Sequence, residues 1–176
     1  MRHRPRLDRA DARFTLTGNT GATAGRFGLK TVKVAGTVRD SVFDVRDGNV
    51  NAVTVGRFVD SRLFLGYTGA GAFNTGGTFG PTPGTLNKFV TTAPVFNDPA
   101  NPSNYAFRGS QIAADVIKSV RLSGLGTANG GTAFGIKFHT SAGSIRTAAA
   151  GPGAVPVGQD LTPATGSAGD FFLLQG

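Results

Sequence analysis

A near-repeat limits what this sequence can fold into. Residues 29–45 carry apolar side chains at Leu29, Val32 and Val34, then a serine, Ser41, followed by apolar Phe43 and Val45. Residues 50–65 repeat the pattern with Val50, Val53 and Val55, then Ser61, Leu63 and Leu65. Each copy holds a first segment with apolar residues at positions 1, 4 and 6 and a second reading Ser-x-apolar-x-apolar. A glycine, Gly36 or Gly56, and an Asp-Ser corner, Asp40-Ser41 or Asp60-Ser61, join them. Alternation within a segment predicts strands with Val34 and Phe43 inward and Lys33 and Asp44 outward. A two-strand unit of about 20 residues cannot bury its apolar face alone, so copies must stack. Stacking sets Val32 over Val53 and Phe43 over Leu63 at the ~4.8 Å strand spacing. The expected fold is all-β: a parallel β-solenoid, or β-helix, of about four to five irregular coils. Asp47-Gly48, between Val45 and Val50, resembles a hairpin turn, so an antiparallel β-sandwich is the alternative.

Fainter copies follow. The first segment recurs as Leu86/Phe89/Thr91, Ile117/Val120/Leu122 and Ala142/Ile145/Thr147; the second recurs as Ser110/Ile112/Ala114 and Thr132/Phe134/Ile136. Phe14/Leu16 reads as a leading half-copy. Two loop insertions separate the copies, a Gly/Thr/Pro-rich one at 66–85 and a Pro/Asn-rich one at 92–109. The chain therefore divides into a disordered basic leader at 1–13, a repeat domain at 14–147 and an Ala/Gly/Pro-rich tail at 148–176. The apolar run 170–174 in that tail predicts a closing strand or cap.

Composition agrees with this division. The chain has 176 residues, no Cys, no Glu and no Trp, but 27 Gly. Missing cysteine excludes a disulfide framework, a Cys-based zinc site and a Cys nucleophile; missing Glu and few Lys argue against helices. The formal charge is +8, and part of it lies in the leader, where Arg2, Arg4, Arg6, Arg9 and Arg13 face only Asp8 and Asp11. Such a tail could touch nucleic acid or an acidic surface; a solvated leader is the commoner case. No apolar run approaches the ~20 residues of a membrane-spanning helix. No apolar run follows the basic start as a signal peptide requires, so a fragment or a displaced start is expected.

Catalytic chemistry is poorly supplied. The glycine runs at 69–74 and 124–129 match half a dinucleotide fingerprint and open no helix. No G-x-S-x-G elbow occurs, and His139, the one histidine outside the leader, has no evident partner. No catalytic residue, metal site or cofactor is assigned. The Asp-Ser corners are more informative. Stacking would bring Asp40 and Asp60 within about 5 Å, where paired carboxylates could hold Ca²⁺ or act as an acid/base pair on a polysaccharide. The plainer reading is a turn whose side chains bond the corner backbone, with Arg39, Arg57 and Arg62 neutralising the charge. Tyr67 and Tyr105, with Phe73, could form a sugar-contacting platform, although loop aromatics more often pin a loop to the body. Candidate ligand-binding residues are thus Asp40, Asp60, Arg39, Arg62, Tyr67 and Tyr105. Outward Lys33, Arg46, Arg57, Arg62, Lys118 and Arg121 leave a mildly basic surface. Nucleic acid is not the expected partner, because exposed aromatics for base stacking are not evident.

The segments 32–41, 117–124 and 127–136 are similar to repeats of large exported β-strand-repeat surface proteins of planctomycete-type bacteria. The resemblance spans about residues 14–147. It implies a β-helical body and an extracellular or cell-surface location, and it brings no catalytic residues with it. The expected function is a non-enzymatic structural or adhesive segment of a surface or secreted protein, with extracellular polysaccharide or a neighbouring surface protein as partner. The alternative is a β-helix module that binds or cleaves acidic polysaccharide. That reading needs both insertions to converge near Asp40 and Asp60.

Overall fold

Copies of the repeat pair with one another and not with their chain neighbours. The computed structural model describes residues 13–16, 27–69, 72–93, 105–147 and 166–176, all of them strand, turn or irregular, with no helix. The strands are β1 (Arg13–Leu16), β2 (Phe27–Arg39), β3 (Val42–Val45), β4 (Asn49–Val59), β5 (Arg62–Leu65), β6 (Tyr67–Thr68) and β7 (Thr78–Phe79). They continue with β8 (Thr85–Thr91), β9 (Phe107–Arg108), β10 (Gln111–Leu122), β11 (Phe134–Thr147), β12 (Gly166–Ala168) and β13 (Phe171–Gln175). Eleven of them form one mostly parallel sheet; β6 and β7 form a small second one.

The main sheet has three rows of parallel pairing. In the first row β2, β4, β8, the second half of β10 and the second half of β11 lie side by side. Leu29, Val50, Leu86, Ile117 and Ala142 are register partners in turn, as are Val32, Val53, Phe89, Val120 and Ile145. In the second row β1, β3, β5, the first half of β10, the first half of β11 and β13 align Phe14, Phe43, Leu63, Ile112, Ile136 and Leu173. A short third row joins the ends of β2 and β4 to β9 and to Leu125, through Val38, Phe58 and Phe107. The chain visits the rows in the order first, third, second.

The antiparallel alternative does not form. Asp47-Gly48 does link β3 to β4, but each of those strands pairs parallel with its repeat equivalent. Among the described residues antiparallel pairing is confined to β12–β13 and β6–β7. One alignment also needs correction. Thr132 does not stand where Ser110 stands, because Ile112 pairs with Ile136 and the last copy is shifted by two residues. The shift keeps a buried apolar residue opposite each of Ile112 and Ala114. The basic leader, apart from Arg13 in β1, lies outside the described residues, as do 94–104 and 148–165. The run 170–174 does become a strand, β13, and β12 lies antiparallel on its outer edge.

Inward side chains of the three rows meet in one core, whose centre is aromatic. The Phe107 ring lies 6.2 Å from both Phe58 and Phe89, 6.3 Å from Phe134 and 6.4 Å from Phe171. Four of these five rings are wholly buried, and each large ring buried removes 150–250 Å² from water. Close stacking at the turns needs small residues: a Cβ on Gly84 would collide with the carbonyl oxygen of Gly48 one pass away.

Candidate functional site

The Asp-Ser corners connect the third row to the second. Asp40 and Asp60 have φ of 49° and 50°, and Gly109, the next residue in the series, has φ of 57°. This left-handed turn is open to Asp, Asn and Gly and costly for other residues. The serines that follow are buried and form an internal ladder. Ser61 Oγ accepts the Ser41 N–H at 3.1 Å and donates to Val59 O at 2.8 Å; Ser110 Oγ accepts the Ser61 N–H at 3.1 Å. The corner residues thus perform the turn role. Asp60 carries charge as well: its carboxylate lies 3.4 Å from Arg108 and 3.8 Å from Arg39. Arg108, not singled out in the sequence, takes the place foreseen for Arg62.

Arg62 turns instead to a cleft at the junction of the second row with the first. This cleft, of about 660 Å³, lies between the outer face of β3 and β5 and the insertion that starts at Gly66. Its walls include Asp44, Arg46, Asp47, Arg62, Phe64 and Tyr67. Arg46 Nε is 3.2 Å from Asp44, and Thr82 Oγ1 donates to Asp47 at 3.0 Å. Of the six sequence candidates the cleft gathers Arg62 and Tyr67. Asp40, Asp60 and Arg39 belong to the Asp-Ser corner. Tyr105 lies elsewhere, with its ring against Gly126, where a Cβ would come within 2.8 Å of it.

Tyr67 anchors the insertion. Its ring meets Phe64 and Phe79 at 5.0 Å and Phe73 at 6.4 Å, and its hydroxyl donates to Gly76 O at 2.7 Å. Beneath them is a buried lysine that the sequence did not mark. Lys137 Nζ donates to Tyr67 Oη at 3.2 Å and to Gly76 O at 2.9 Å, and sits 5.4 Å and 5.3 Å from the Tyr67 and Phe73 ring centres. Burial lowers the Lys137 pKa and raises that of Tyr67, since each loses water around its charged form. The one available signal was a cation between Ile136 and Phe138 on an alternating strand. Only the insertion folding over it explains why it is buried.

His139 borders the same cluster and does have a partner. Its ring stacks on Phe79 with centroids 5.3 Å apart, and its Nδ1 lies 3.2 Å from Asp115, which also accepts a bond from Thr140 at 2.5 Å. Asp115 occupies the bend where β10 passes from the second row to the first, directly beside the equivalent bend in β11. An Asp-oriented imidazole is half of an acid/base device. Among the described residues no hydroxyl bonds its other ring nitrogen, and no three His, Cys, Asp or Glu side chains converge as metal ligands.

No family model matches the sequence, and neither a curated protein nor a solved structure does.

Proposed function

We propose that the chain is a parallel β-solenoid segment, built from the repeat, that serves as a non-enzymatic structural or adhesive module of a bacterial surface or secreted protein. The observation that carries this reading is register. Val32, Val53, Phe89, Val120 and Ile145 align across five parallel strands although the chain between them varies in length. A body of this kind grows by adding units and places its insertions at the turns, which suits a stalk or a display surface. The insertion on Tyr67 is pinned by aromatics and by Lys137, as expected of a loop that stiffens the body.

A second reading, a module that binds acidic polysaccharide, draws on the cleft that holds Arg62 and Tyr67. It does not draw on the Asp40 and Asp60 corner, where Asp60 is held by Arg39 and by Arg108 from the end of the second insertion. The centre of the second insertion lies outside the described residues.

Protease shaving of intact cells of the organism that makes the protein tests the location. Peptides of this chain released before lysis are the expected result; peptides found only after lysis overturn a surface role.

A further inference from the structure

The outer face of the first row is a sheet of cations. Lys30, Lys33, Lys88, Lys118 and Arg121 all point outward from β2, β8 and β10 and are exposed. Arg121 stands beside its register partner Arg146 on β11, and the same rung continues through Val90 and Thr54 to Lys33. Between the cations lie Val90 and the polar Thr54, Asn87 and Ser119, with Asn87 bonded to Asn51 at 3.2 Å across the strands. Every described aspartate lies elsewhere. Asp40, Asp44, Asp47, Asp60 and Asp170 are in the turns or the second row, and Asp115 is at the bend of β10. Among the described aspartates, Asp60 holds Arg39 and Arg108, Asp44 holds Arg46, and Asp115 holds His139.

We infer that this face is a docking surface for a linear acidic polysaccharide, of the polyuronate kind. Four of the five strands in this row, β2, β8, β10 and β11, present cations, neighbouring strands lie ~4.8 Å apart, and a sugar chain with one carboxylate per ring repeats on a similar scale. Hydroxyl and amide side chains between the cations can bond the sugar hydroxyls. Single-stranded nucleic acid is disfavoured because, among the described residues, Phe27 at the start of β2 is the one exposed large aromatic, too few for a run of stacked bases. The inference rests on the surface-module reading and adds its ligand class.

The test uses the full chain with polygalacturonate, its fully methyl-esterified form and duplex DNA. Polygalacturonate binding is expected to weaken with salt, to vanish on esterification, and to fall about tenfold or more in K88Q/K118Q/R121Q. The cleft variant R46Q/R62Q separates the two sites, since a loss of binding there would place the polysaccharide in the cleft. Lys88→Arg with Arg121→Lys should retain binding, since it keeps the charge. Circular dichroism checks that each variant is folded; if the triple variant is not, the single exposed change Lys118→Glu is read in its place. Equal binding by the triple variant, loss in the cleft variant, or tighter binding to DNA overturns the inference. A folded parent that ignores polygalacturonate overturns it too, while shaving still decides the surface role separately.

Discussion

The hydroxyl of Ser61 accepts the backbone N–H of Ser41, twenty residues earlier, at 3.1 Å inside the protein. Ser110 does the same for Ser61. Each hydroxyl also donates to the carbonyl two residues before it, so the turn and the stack are held by one atom.

Ser61→Ala removes the acceptor for a buried N–H and leaves it unpaired. A loss of about 1–3 kcal/mol is expected, read from the midpoint of urea unfolding. A change under a few tenths would mean the ladder contributes little.

The left-handed corner makes a different demand. Asp40→Gly should be neutral or mildly stabilising, as Gly109 already fills the equivalent place, whereas Asp40→Val should cost about 1–3 kcal/mol. Gly109→Ala should be worse than its backbone angle implies, because its Cβ would collide with the Asp60 carboxylate. Thermal melts of the three variants check the order.

Phe107 touches four other rings and is fully buried. Phe107→Ala should destabilise by about 3–5 kcal/mol, and Phe107→Leu by clearly less, since a leucine leaves a smaller cavity. Equal losses from the two would show that ring packing is not what the site requires.

Lys137 predicts a pH response. Burial holds its ammonium below the ordinary 10.5. Between the lowered value and 10.5 the unfolded chain binds more protons than the folded one, so stability rises with pH across that window. Tyr67, raised above its ordinary 10.0, stays protonated in the folded chain after it ionises in the unfolded one; stability falls as pH climbs past 10.0. Unfolding midpoints measured across alkaline pH should therefore climb and then turn over. Lys137→Met should abolish the climb and keep the fall; an unchanged climb would remove Lys137 as its cause.

Much of the stack was legible from spacing. The apolar positions at 29, 50, 86, 117 and 142 become register partners, because a side-chain period of two lets only one register bury them all. The Asp-Ser corner was legible as a turn for a similar reason: αL geometry and a buried N–H both select short polar residues. The last copy misled at Thr132, where a hydroxyl before an apolar pair matched the template but the strand register did not follow it.

The candidate site was less legible. The sequence by itself determined an all-β chain of stacked strands and the inward and outward alternation, since these depend on neighbours along the chain. Only the tertiary structure decided that the first insertion folds over Phe64, that Lys137 is buried beneath Tyr67, and that Asp115 meets His139. The last two contacts join residues 70 and 24 positions apart, where no periodic pattern records which side chain will face which.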